Sequence, residues 1–187
     1  LPFLDATALR ERLMQVPLVK TARVMKLYPD RLVIAIEERQ PSALWQRDGR
    51  VAVISEDGVP IDELRDQRYL GLPFVVGEGA QKRLLEYHML IARAGDLAHR
   101  IKAGVLVAGR RWNLEMTNGV TVKLPEMDPF GALDTLARLQ REARILDKDV
   151  MSIDLRIPDR VSVRLTEEAA AAREAQLAPR KPAKSGG

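Results

Sequence analysis

The chain has 187 residues, enough for one medium domain or two small ones, and its 46% hydrophobic content can supply a core. Lysine and arginine total 30 and aspartate and glutamate total 26, giving a net charge of +4. The two signs alternate along the chain, which argues against nucleic-acid binding. The absence of cysteine excludes disulfides and thiolate metal sites, and no apolar run approaches the roughly 20 residues that cross a bilayer.

The first part of the sequence predicts a helix packed on a β-hairpin. Asp5 is a suitable N-cap for a helix to about Gln15, and Pro17 ends it. Alternating side chains predict strands at 21–27 and 32–38. The intervening residues, YPDR, carry the proline and aspartate that favour chain reversal.

Short strands with regular turn signals follow from Trp45. A helix is predicted at 80–94, and the clearest hairpin occupies 111–124. Its residues alternate on both sides of Asn118-Gly119, which predicts a two-residue type I′ turn.

A third helix is predicted from Pro129 to about Ile145, after the N-cap Asp128. Strands at 151–157 and 161–165 then flank a Pro-Asp turn. The sequence EEAAAAREAQ resembles a frayed helix, and we assign 167–187 as a disordered tail. The fold class is therefore α+β: a helix–hairpin module at 1–46, then a mainly antiparallel β domain with two helices at 47–166.

No residue pattern predicts catalysis. Glu37 and Glu38 are neighbours on a predicted strand, so their side chains point to opposite faces and cannot act on one substrate atom. His88 and His99 have no third metal ligand placed by pattern. The stretch GEGAQKR at 77–83 lacks the Gly-Lys-Ser/Thr spacing of a phosphate loop. We predict a protein that is not an enzyme and needs no cofactor or metal.

The last predicted strand is the strongest candidate for function. Only a polar, alanine-rich segment follows it, so one row of its backbone N–H and C=O groups lacks an obvious neighbour. Arg156, Arg160 and Arg164 lie beside that row and favour an acidic partner strand. Two alternatives stay open: the strand is interior, or its arginines only protect the edge from aggregation.

Three stretches resemble the FtsQ/DivIB family of cell-division proteins. Residues 17–45, PLVKTARVMKLYPDRLVIAIEERQPSALW, resemble the family's strand, Pro-Asp turn, second strand and Pro-x-Ala-x-Trp signature. Residues 110–124 and 151–157 resemble later landmarks in the same order. The resemblance extends to about Thr166.

The resemblance implies a single-pass inner-membrane protein, with this region in the periplasm at the division septum. The module at 1–46 would be a POTRA domain without its first strand and helix, and the membrane helix would precede this chain. The family forms a scaffold that links early and late division proteins. Its β domain binds FtsB and FtsL, and its POTRA domain contacts other division proteins.

In the family, FtsB is held by strand addition to the last strand of the β domain. Carried over by position, the partner-binding residues are Arg110, Arg111, Arg156, Ile157, Arg160, Val161, Ser162, Val163, Arg164 and Leu165. Ile157 stands where some relatives have an aromatic residue, and the last strand has no tryptophan. The alternative is a POTRA-containing outer-membrane assembly or transport factor, although such proteins usually have several POTRA copies or lead into a barrel.

Overall fold

The computed structural model describes residues 5–177, beginning with a helix packed on an antiparallel hairpin. These elements are α1 (Ala6–Met14), β1 (Val19–Leu27) and β2 (Arg31–Glu38). The Asp5 carboxylate accepts hydrogen bonds from the N–H groups of Thr7 and Ala8, as predicted for an N-cap. Arg10 Nε donates to the carbonyl oxygen of the buried Ala22, which ties α1 to β1. The predicted helix–hairpin module is confirmed.

Both faces of this hairpin expose apolar side chains. Val24 and Ile34 are cross-strand partners, as are Met25 and Val33 on the opposite face. Of these four, all but the half-buried Val24 are exposed. Within residues 5–177, α1 is the helix that contacts β1, and it buries the Ala22 end of one face. A two-stranded sheet is marginally stable in water unless further apolar surface covers it.

The remaining strands form one nine-stranded mixed sheet. They are β3 (Pro41–Arg47), β4 (Arg50–Ser55), β5 (Pro60–Glu63), β6 (Phe74–Val76), β7 (Ile101–Val107), β8 (Arg111–Met116), β9 (Thr121–Lys123), β10 (Val150–Ile157) and β11 (Arg160–Leu165). Their spatial order is β11-β10-β9-β8-β7-β6-β3-β4-β5. The pairings are antiparallel except β3–β6, β6–β7 and β9–β10, so the prediction of a mainly antiparallel domain is confirmed.

Two helices lie on one face of this sheet, close to the predicted positions. They are α2 (Leu84–Ala94), preceded by one 3-10 turn, and α3 (Pro129–Ala143). The Tyr87 ring on α2 lies 5.2 Å from the Trp112 ring of β8 in the main core. A Cβ atom at Gly104 would come within 2.2 Å of that tyrosine ring, so the helix approaches the sheet at a glycine.

The prediction of a two-residue type I′ turn at Asn118-Gly119 is wrong. Only Gly119 has a positive φ there, 86°, and a three-residue loop joins Met116 to Val120. Gly119 N–H donates to the Met116 carbonyl, and Met116 N–H donates to the Val120 carbonyl, as in a type I turn followed by a left-handed glycine. The two positive φ angles of a type I′ turn occur at Asp48 and Gly49, between β3 and β4.

The structure differs from two predicted boundaries: the one between the two domains and the start of the disordered tail. The boundary predicted between 46 and 47 falls inside β3, whose hydrogen-bonded neighbours are β4 and β6 in the large sheet. The segment interpreted as a frayed helix at the start of the 167–187 tail forms helix α4 (Glu167–Leu177), so the assignment of disorder does not hold for 167–177. The Thr166 side chain accepts the Ala169 N–H, and two glutamates occupy the first turn of α4. Residues 178–187 lie outside the described residues. Along 5–177, none of the helices has the length and apolar character to span a membrane.

Candidate partner-binding edge

Strand β11 ends the nine-stranded sheet, as predicted. Its one neighbour among the described strands is β10, so its outer side faces no other strand of residues 5–177. Residues 160–164 are exposed, and Leu165 is half-buried against the core. Helix α4 follows directly but makes few contacts with β11, so it leaves most of the strand uncovered. This end of the sheet therefore offers backbone groups to another chain.

The hydrogen bond after β11 indicates which backbone groups point outward. Thr166 N–H donates to the Asp149 carbonyl at 3.0 Å, toward β10. Because backbone groups alternate along a strand, the N–H groups of 160, 162 and 164 also point toward β10. Those of Val161, Val163 and Leu165 then point away from the sheet, where an added strand would lie.

A cleft lined by both apolar and polar residues flanks the edge on the helix side. It has a volume of about 360 Å³ and lies between α3 and the end of the sheet. Its apolar and small lining residues include Met127, Ala132, Leu155, Ile157 and Val161. Small residues on α3 leave space between helix and strand. The cleft can therefore receive apolar side chains from a strand bound to β11.

The basic residues near the edge fall into two groups. Arg160 and Arg164 are exposed, and neither forms an ion pair within the described part of the chain. Arg156 pairs with Asp154, with 2.6 Å between Nη2 and Oδ2. The hydrogen bond from Arg156 holds the pKa of Asp154 below its ordinary value. Arg160 and Arg164 are the unpaired positive charges available to an acidic partner.

Arg110 and Arg111 lie away from β11. Arg110 precedes β8 and pairs with Glu126 at 3.5 Å, while Arg111 begins β8. Strand β8 is separated from β11 by β9 and β10, so Arg111 is roughly 14 Å from the edge strand at normal strand spacing. Of the ten residues predicted to bind a partner, these two are not brought to the edge.

Sequence reasoning missed two residues that organise the edge. Asp154 holds Arg156, and Thr166 both closes β11 and caps α4. The Asp-x-Arg spacing on one predicted strand was a signal for the first, because residues two apart share a face. The Thr-Glu-Glu sequence before an alanine run was a signal for the second.

Glu37 and His88, which were considered and rejected as catalytic or metal-binding residues, each contact a neighbouring side chain. Glu37 forms an ion pair with Lys20 at 3.3 Å, and the hydrogen bond from Lys20 lowers its pKa. His88 Nε2 lies 3.1 Å from Ser42 Oγ in a half-buried contact between α2 and β3. Within residues 5–177, no cluster of three or more His, Asp or Glu side chains could hold a metal ion.

Two family models match consecutive parts of the chain. Residues 43–156 match the family "Cell division protein FtsQ/DivIB, C-terminal", and residues 1–39 match "POTRA domain, FtsQ-type". The chain is 42% identical to cell division protein FtsQ of Bradyrhizobium diazoefficiens over 184 residues, covering 98% of the chain and 54% of that protein. It is 38% identical to cell division protein FtsQ of Rhizobium radiobacter over 171 residues, covering 91% of the chain and 81% of that protein.

Cell division protein FtsQ of Agrobacterium fabrum is also 38% identical over 171 residues, which cover 91% of the chain and 54% of that protein. The chain thus spans a little over half the length of the Bradyrhizobium and Agrobacterium proteins. The resemblance drawn from the three sequence stretches is confirmed. Since the two family matches follow each other along the chain as the two sheets do, the chain belongs to the FtsQ/DivIB family of cell-division proteins.

Proposed function

We propose that this chain is the periplasmic part of a non-enzymatic division scaffold, anchored by a single helix in the inner membrane and located at the septum. Its β domain binds FtsB-like and FtsL-like proteins and captures a strand of the FtsB-like protein. The open side of β11 is the observation that carries the proposal. The relatives support it because their names place the family in cell division.

The backbone supplies affinity at this edge. The outward N–H groups of Val161, Val163 and Leu165 alternate with side chains in the manner that strand addition requires. The Val161 and Val163 side chains are 39% and 38% exposed, so a bound strand has apolar surface left to bury. Burial of such surface contributes about 25 cal/mol per Å² before the losses of association are subtracted.

Charge supplies selectivity at the same edge. Arg160 and Arg164 point to one face of β11, and Val161, Val163 and Leu165 point to the other. An acidic strand that alternates carboxylate and apolar residues would meet both faces. We therefore expect the captured segment to carry glutamate or aspartate opposite the two arginines.

The helix–hairpin module is the second contact region of the proposed scaffold. Its exposed Met25, Ile34 and Ile36 give it apolar surface for other division proteins. This part of the proposal rests on those side chains and on the match to an FtsQ-type POTRA domain. It assigns the module recruitment contacts separate from the β11 edge.

Val163→Pro tests strand addition. Proline removes the outward N–H of residue 163 while leaving the N–H groups that bond to β10 untouched, and edge strands tolerate proline at such positions. Val163→Thr is the matched control, because it keeps both the N–H and the β-branched shape. Binding of the FtsB-like protein from the same organism is measured by titration calorimetry.

We expect the proline variant to bind at least about tenfold more weakly, since it loses a backbone hydrogen bond and the fit around it. The threonine variant should bind nearly as tightly as the original chain. Thermal unfolding of both variants checks that the fold is intact. If a folded proline variant bound with unchanged affinity, strand addition at β11 would be wrong.

A further inference from the structure

Asp154 and Arg156 form a two-point ion pair beside the edge strand. Arg156 Nε lies 2.8 Å from Asp154 Oδ1, and Nη2 lies 2.6 Å from Oδ2. The same Oδ1 accepts the backbone N–H of Arg156 at 3.1 Å. One carboxylate therefore holds both the main chain and the side chain of this arginine. Such parallel bonds fix the guanidinium plane as well as its position.

The pair lies on an irregular part of β10. Asp154 faces Ser162 and Ile157 faces Arg160, so β10 advances three residues where β11 advances two. The extra residue is a β-bulge, which turns nearby side chains away from their regular direction. Since Asp154 bonds to the Arg156 N–H within the bulge, it fixes the bulge and the arginine together.

Arg156 keeps unused donors in this arrangement. A guanidinium has five N–H groups, and Asp154 uses the one on Nε and one on Nη2. The remaining donors have no acceptor among residues 5–177, so they can bind a second acceptor next to the first residues of β11. The Arg156 side chain is 41% exposed, so a bound strand can reach it.

We propose that Asp154 is a positioning residue for the edge: it holds Arg156 in one direction so that the remaining donors meet a carboxylate or carbonyl of an acidic partner strand. The inference rests on the proposed function, since it requires a strand beside β11. An arginine side chain loses rotamer entropy when it is immobilised. Asp154 imposes part of that loss during folding, before the partner arrives.

Removing the charge of Asp154 distinguishes two roles: orienting Arg156 for the partner, or competing with the partner for Arg156. Asp154 is negative and occupies Arg156, so its charge alone opposes an acidic partner. Neutralising it should tighten binding if charge or competition were its only role. Positioning predicts the opposite, because the freed arginine must be ordered again by the partner. The sign of the change in affinity therefore decides between the two roles.

Asp154→Asn is the test variant, since asparagine keeps the size and an oxygen that can accept the Arg156 backbone N–H. We expect Kd for the same partner protein to rise about tenfold, mainly through faster dissociation. In an Arg156→Gln background, Asp154→Asn should change Kd little, because the residue acts through the arginine. If Asp154→Asn alone bound the partner as tightly as the original chain or more tightly, while Val163→Pro still bound more weakly, the positioning role would be wrong and strand addition would stand.

A measurement without partner tests the same inference if strand addition itself fails. The Arg156 Nε–H signal in NMR should exchange slowly with solvent in the original chain and quickly in Asp154→Asn. Arg164 is the internal comparison, because it has no ion pair within residues 5–177. An Arg156 Nε–H that exchanges as fast as that of Arg164 in the original chain would show that Asp154 does not hold it.

Discussion

Gly104→Ala should destabilise the β domain, because the sheet and α2 meet at this glycine. A Cβ atom there would lie 2.2, 2.7 and 2.9 Å from three carbons of the Tyr87 ring. Ordinary contacts are 3.4–4 Å, so the ring must retreat by more than 1 Å. Tyr87 is only 1% exposed and lies against Trp112, so no open space receives it.

Overpacking of this kind costs about 1–3 kcal/mol of stability. Replacing glycine by alanine stabilises the fold by up to about 1 kcal/mol, because it lowers the conformational entropy of the unfolded chain. We therefore expect a net loss of about 1–2 kcal/mol, which lowers Tm by roughly 2–8 °C in a chain of this size. Urea and thermal unfolding measure both quantities. Gly71→Ala is the matched control, since no atom lies within 4 Å of its added Cβ.

Equal stability of the Gly104 and Gly71 variants would refute this reasoning, because only the first creates a clash. A crystal structure of the Gly104 variant would show where the displacement goes. We expect α2 to move away from β7, since the ring is wedged between helix and sheet.

Two further predictions concern polar contacts away from the edge. Arg39→Met should destabilise the chain by about 1–3 kcal/mol in urea unfolding. The Arg39 side chain is 16% exposed and donates to the carbonyl oxygens of Pro17 and Val19 and to the Asp57 carboxylate, and these acceptors would lose their donor. Stability should also fall between about pH 4 and pH 2, because hydrogen bonds from Arg100 and Gln140 hold the pKa of Asp147 at about 2, below its unfolded value. Asp147→Asn should flatten this part of the pH profile, and an unchanged profile would contradict the assignment.

Most elements could be predicted because their signals are local. Asp5 and Asp128 cap α1 and α3 through their own carboxylates, and side-chain alternation marks both strands of the β1–β2 and β8–β9 hairpins. The parallel pairings could not be read from alternation, since they join strands that are distant in sequence. A strand–helix–strand spacing was nevertheless present, because α2 lies between β6 and β7 and α3 lies between β9 and β10.

The sequence indicated which strand forms the candidate site, but not where the predicted arginine side chains lie relative to that strand. Position in the chain and the polar segment after Leu165 indicated an edge but left an interior strand as an alternative, which the strand order excludes among the described residues. The distance of Arg111 from β11 depends on β9 and β10 being inserted between them, which is a property of the whole sheet. The bulge that orients Arg156 depends on the register between β10 and β11, and no residue pattern specifies it.

The two edge strands of the sheet, β5 and β11, differ in the features that discourage strand pairing. Strand β5 has four residues, begins with Pro60 and carries Asp62 and Glu63, devices that discourage pairing. Strand β11 has six residues and no proline.

The arginines of β11 can both protect the edge and select a partner. If two copies paired antiparallel about Ser162, Arg160 of each copy would face Arg164 of the other, and like charges would oppose the pairing. An acidic strand turns the same charges into attraction. Protection and recognition, which sequence analysis left as alternatives, are therefore compatible consequences of the same two side chains.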